Sequence, residues 1–217
     1  MDRRDFMVGV GGLILTASQV EAGTPDDRSQ QQMSTGLGSE MPRTIRRVVL
    51  DTETTGLDPA DGHRVIEIGA VELMGRIPTG VAFHVYLNPD RDIDPGAEAV
   101  HGLSLDYLSR KPRFSEIAQD FLGFIGGAEL VIHNAPFDVG FIDAELARMD
   151  LFSLENYCPS IIDTLKWARA RFPGQRNSLD ALCQRFDIET DERPIHGALL
   201  DAELLGEVYG HLMRGGC

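Results

Sequence analysis

The sequence predicts an α/β domain with a mixed central β-sheet flanked by helices, spanning residues 41–217 and preceded by a 40-residue extension of different character. Three observations carry this. Three segments with strand periodicity follow one another without a helix between them. Beyond them, helical apolar spacing alternates with a short apolar run, and strands followed by alternating helix and strand make a mixed sheet. Finally, 217 residues with 42% hydrophobic and 25% charged side chains are enough for one ordinary core.

Taken in order, RRVVLD (46–51) is a short β-branched run, while RVIEIGAVELMG (64–75) and VAFHVYLN (81–88) alternate, the last closed by Pro89. Three such strands in succession predict a meander. FSEIAQDFLGFI (114–125) has apolar residues at helical spacing with Ser115 as its cap, and ELVI (129–132) is a brief buried strand. Residues 135–149 read as a helix with Pro136 near its start, where the missing N–H costs nothing, so Asp138 falls in its first turn. Segments 162–171, 178–186 (capped by Asn177 or Ser178) and 198–213 complete a helical second half. Phe137, Phe141 and Ile142 read as core rather than as a base-stacking platform. No internal repeat and no apolar run of membrane-spanning length is present. Cys158, Cys183 and Cys217 are odd in number and form no C-x-x-C, which fits reduced thiols better than a disulfide framework, with Cys183 in the core.

The extension has two readings. Arg3-Arg4, the apolar run Met7–Ala17 and Val20-Glu21-Ala22 resemble a twin-arginine export signal with a cleavage site. Alternatively, residues 1–40 lie upstream of the true start at Met41, and the Gly/Ser/Gln/Asp-rich stretch 23–40 is disordered. The second reading is favoured and places the protein in the cytoplasm; the first would export it. The extension holds three positive and six negative side chains, so most of the net charge of −14 belongs to the domain. Such a charge argues against a broad basic surface that grips long duplex DNA by counterion release. It leaves open an enzyme that holds a few nucleotides of a strand end with the help of bound metals.

The chemistry concentrates in three segments. Asp51 and Glu53 in DTETTG stand two apart at the end of an apolar run, which puts both carboxylates on one face of a strand. Asp138 closes HNAPFD, and His196 and Asp201 open and close HGALLD. Four carboxylates in one place are costly unless hard cations such as Mg²⁺ or Mn²⁺ neutralise them, and a histidine beside them suits a general base. Five residues of helix turn through about 140°, so His196 belongs to a loop after Pro194, Gly197 permits the turn, and Asp201 lies inside the helix that follows. His133 reads as a hydrogen-bonded structural histidine at a strand end, Asp163 as a helix cap, and Glu67, Glu72 and Asp143 as structural or solvated.

In combination, DTETTGLDP, VIEIGAVEL, FHVYLNP, VHGLS, GAELVIHNAPFDVGFI, FPGQRNSLDALC and HGALLDAELLGEVY resemble the DnaQ-type DEDD exonucleases with a catalytic histidine, the family of bacterial proofreading subunits, from Arg46 to Gly216. The resemblance implies a ribonuclease H-like fold and a 3′→5′ exonuclease that releases nucleoside monophosphates from DNA using two divalent ions, Mg²⁺ or Mn²⁺. It implies that Asp51 bridges both metals, that Glu53 and Asp201 hold the one carrying the attacking water, that Asp138 anchors the second, and that His196 is the base. By the same resemblance Thr54, Val100 and His101 touch the terminal nucleotide, although Thr54 reads equally as a turn residue and His101 as an exposed loop histidine. The family often places an acid five residues before this histidine; here that position is Gly96, and the nearest acid is Glu98. Implied partners are a single-stranded or frayed DNA 3′ end, the polymerase's alpha subunit, the sliding clamp and a theta-like small subunit. The tail that would reach the alpha subunit and the clamp is expected to be missing past Gly215-Gly216-Cys217. Two other functions compete: a stand-alone relative trimming RNA or short oligonucleotides, and a non-catalytic polymerase adaptor, against which all five chemical positions are filled.

Overall fold

β1 (Arg46–Thr54), β2 (Val65–Met74) and β3 (Ile77–Tyr86) form the expected antiparallel meander in the computed structural model, which describes residues 45–190 and 196–214. The 40-residue extension, with both of its readings, and Pro194 lie outside the described residues. On the other side of β1, the short strands β4 (Glu129–Ile132) and β5 (Ile161–Asp163) add in parallel, giving the order β3-β2-β1-β4-β5. The sheet is therefore mixed, with β1 at its centre.

A central strand is buried on both faces, and β1 shows it: Val48, Val49 and Leu50 are all fully buried. Alternation sends Val48 and Leu50 into one core, shared with Phe121 of α3 (Phe114–Ile125) and Phe141 and Ile142 of α4 (Ala135–Ala147). Val49 enters the other core, shared with Leu205, Val208 and Tyr209 of α7 (Ala198–Arg214). Each fully buried side chain of this size stabilises the fold by about 1.5–3 kcal/mol. Among the described residues, no helix is long and apolar enough to cross a membrane.

Several elements differ from expectation. β1 continues three residues further, through Thr54, and β3 begins four residues earlier, because left-handed Gly75 makes the β2–β3 turn tight. The segments before Phe114 and Thr164 contain α1 (Pro95–His101), α2 (Leu105–Leu108) and β5, all too short to show a period. Ser115 is not the cap of α3: Arg113 holds that place, and its N–H is satisfied by Glu116 at 2.7 Å. α5 (Thr164–Arg171) is capped by Asp163 and α6 (Leu179–Arg185) by Ser178. Cys158 and Cys183 are buried thiols, and burial raises the Cys158 thiol to about 11.

Candidate active site

The site lies at the end of β1 where α7 begins. Asp51 and Glu53 project from the β1 face that packs on α7, and antiparallel pairing sets them opposite Gly69 and Glu67 of β2. At Gly69 the chain comes very close to α7: a Cβ there would lie 2.2 Å from the Ala198 carbonyl carbon and the Leu199 nitrogen. Only glycine permits this approach, and the approach sets Asp201 beside the strand. Oxygens of Asp51, Glu53 and Asp201 lie within 4.8 Å of one another, with Asp201 buried and the other two half-buried. Three carboxylates at this spacing form a hard-oxygen cradle that fits a divalent cation such as Mg²⁺ or Mn²⁺.

Asp138 approaches from the other layer and stands outside that trio. Asn134, in the left-handed conformation at φ 67°, turns the chain from β4 into α4 and so brings Asp138 over the end of the sheet. Its Oδ1 accepts from the Thr52 hydroxyl at 2.7 Å, Thr52 being the β1 residue that alternation points away from Asp51 and Glu53. Burial raises the Asp138 carboxyl to about 7; the Thr52 bond and backbone donors oppose this, and Asp163 adds to it. A bound cation would reverse that balance and ionise it.

His196 precedes α7 rather than belonging to it, and its Nδ1 lies 3.0 Å from Asp201 Oδ2. The His196 N–H donates to the Val100 carbonyl at 3.1 Å. That bond joins His196 to the end of α1, which carries Val100 and His101.

The four residues expected to touch substrate behave differently from one another. Thr54 is buried, and its hydroxyl donates to the Gly56 carbonyl at 2.6 Å, a turn contact. Val100 is half-exposed. His101 is not an exposed loop residue: it ends α1, is 3% exposed, and accepts from the Leu103 N–H at 3.0 Å. Burial lowers its pKa against the upward pull of Glu67, Glu98 and the Thr54 backbone. Glu98 is exposed on α1. His133 is occupied by Thr164 at 2.9 Å and the Asn177 carbonyl at 3.0 Å, and burial lowers its pKa. It takes the structural role expected of it.

Two contributors to the geometry were missed by sequence reasoning. Gly69 carried a usable signal, since a glycine inside an alternating strand marks a close backbone approach. Thr52 carried only its parity, opposite to that of its two acidic neighbours.

Residues 48–209 match the RNase_T exonuclease family. The chain is 53% identical over 175 residues to the DNA polymerase III subunit epsilon of Haemophilus influenzae, covering 79% of this chain and 68% of that one. It is likewise 53% identical over 170 residues to the Escherichia coli protein of the same name, covering 76% and 70%. Among solved structures, exonuclease X in complex with 5′ overhanging duplex DNA is similar, with 26% identity, a TM-score of 0.61, and 77% and 91% of the two chains covered.

Proposed function

The chain belongs to the exonuclease family of the DNA polymerase III epsilon subunits and is a 3′→5′ exonuclease of ribonuclease H-like fold, and from that premise we propose how its residues do the work. The enzyme depends on divalent metal. In our reading Asp51, Glu53 and Asp201 would hold one Mg²⁺ or Mn²⁺, and Asp138 with Asp51 would hold a second. When bound, these ions neutralise the scissile phosphate and acidify the attacking water.

The residues do the rest. His196, held by Asp201 in this structure, gives up that bond and takes the proton of the water that attacks phosphorus. The bond from phosphorus to the 3′ oxygen of the preceding nucleotide breaks, and a nucleoside 5′-monophosphate leaves. Val100 separates the terminal base from its neighbour, while Thr54 and His101 line the sugar side and Glu98 stands at the outer edge of that wall. Thr52 keeps Asp138 oriented. The observation that supports this most is the convergence of Asp51, Glu53 and Asp201 within 4.8 Å, with His196 bonded to the third of them.

The substrate is a frayed or mispaired DNA 3′ end, and the setting is cytoplasmic replication beside DNA polymerase III. The polymerase's alpha subunit, a theta-like subunit and the sliding clamp are the family's partners. The domain boundary lies at residues 40–41. Degradation of a 3′-mispaired primer and a matched RNA strand, in Mg²⁺ or Mn²⁺ and then in chelator, tests the reading. Metal-dependent release of deoxynucleoside monophosphates, faster from the mispaired end, is expected. Faster cleavage of RNA would move the protein to oligonucleotide trimming, and inertness on both would leave an adaptor.

A further inference from the structure

The turn that follows Glu53 is fastened to two other elements through one dipeptide, His63-Arg64, just before β2. Thr55, fully buried in that turn, donates its N–H to the Arg64 carbonyl at 2.9 Å, and its hydroxyl accepts from the Arg64 N–H at 2.9 Å. The same hydroxyl lies 3.0 Å from His63 Nδ1, and its one proton is available to that nitrogen. The other ring nitrogen of His63 faces Asp94 Oδ2 at 3.4 Å. Asp94 is the N-cap residue of α1, and its N–H donates to the Thr55 carbonyl at 2.9 Å. Space is tight around the ring: a Cβ on Gly56 would come within 2.3–2.5 Å of three of its atoms. Arg64 reaches the third element, forking onto Glu145 of α4 at 2.6 and 2.7 Å, seven residues beyond Asp138 and so on the same helical face.

We infer that His63 and Arg64 form a clasp that fixes the walls of the 3′-terminal nucleotide site. His63 sets the separation between the Thr54–Thr55 turn and α1, whose last two residues are Val100 and His101. Arg64 locks that turn to the helix carrying Asp138. His63 is a positioning residue: its two ring nitrogens face Thr55 and Asp94. His63 therefore governs nucleotide binding and leaves metal affinity unchanged, whereas Arg64 acts on the helix that carries Asp138. This inference rests on the exonuclease reading, because it assigns the Thr54 turn and the end of α1 to the terminal nucleotide.

The test compares the parent with His63→Ala, His63→Asn and Asp94→Ala. Asn keeps an acceptor for Thr55 but does not reach Asp94; Asp94→Ala removes an exposed carboxylate and leaves the core intact. Measured quantities are kcat and KM on a mispaired primer, the Mn²⁺ concentration for half-activity, and the affinity for a deoxynucleoside 5′-monophosphate with Mn²⁺. Expected for His63→Ala is roughly a tenfold loss of primer and monophosphate affinity, with kcat within about threefold and the Mn²⁺ requirement unchanged. Partial recovery is expected in His63→Asn, and a smaller loss in Asp94→Ala. Unchanged KM and monophosphate affinity in His63→Ala and Asp94→Ala would overturn the clasp, as would a fall in kcat together with a raised Mn²⁺ requirement. If the parent degrades no primer, the exonuclease reading fails, while the monophosphate affinities still decide the clasp.

Discussion

Replacing Gly69 by alanine tests how the metal cradle is assembled. The added methyl would meet the Ala198 carbonyl carbon and Leu199 nitrogen at 2.2 Å and the Ala198 oxygen at 2.3 Å, all backbone atoms of the first turn of α7. Ordinary contact begins at 3.4 Å, so α7 or β2 must retreat by about 1.2 Å, and no side-chain rotation relieves the clash. Overpacking of this kind costs about 1–3 kcal/mol, or roughly 2–12 °C in melting temperature for a domain of this size. The functional cost is larger. Asp201 sits one turn into the displaced helix, metal-ligand distances tolerate only about 0.2 Å, and a 1 Å misplacement costs on the order of a hundredfold in rate. The expected result is a folded variant with kcat/KM on a mispaired primer down about a hundredfold and a clearly raised Mn²⁺ requirement. Melting curves and Mn²⁺ titrations on the same preparation separate the two effects. Parent-like metal affinity and rate in a folded Gly69→Ala would refute the claim that this approach places Asp201.

His196→Ala should lose about 10²–10⁴ in kcat at every pH while binding Mn²⁺ no more weakly than the parent, since Asp201 loses a partner that competes with the ion; weaker Mn²⁺ binding in calorimetry would contradict that competition. Asp138 predicts a pH effect in metal-free protein. Its folded pKa of about 7 lies above the ordinary 3.8, so between pH ~4 and ~7 the folded state binds more protons than the unfolded one, and stability falls as pH rises through that window. Asp138→Asn removes this slope, so at pH 8 the metal-free variant should be more stable than the parent by on the order of a few kcal/mol, with the two converging below pH ~4 in denaturant titrations. Mn²⁺ should raise the melting temperature of the parent and chelator should reverse it, a hundredfold excess over Kd corresponding to about 2.7 kcal/mol; no shift would argue against a cradle at Asp51, Glu53 and Asp201.

The meander and the long helices were legible because each carries a period, alternation in VIEIGAVEL and helical spacing in α3 and α7, and β4 because ELVI is a short apolar run. The three-residue β5 and the seven-residue α1 were not, because fewer than two turns or a single alternation give no period to read. Asp51 and Glu53 were found from residue type and parity on one strand, information that lies within a few neighbouring residues. Three arrangements depended on residues far apart in sequence: Asp138 held by Thr52 from the opposite layer, His101 turned inward, and His196 joined to Val100. The sequence by itself determined which side chains could bind a cation and accept a proton, since charge and basicity are local properties. Which carboxylates share a cradle, and how near α7 comes to Gly69, only the tertiary structure decided, because those distances follow from how two cores pack on opposite faces of one central strand.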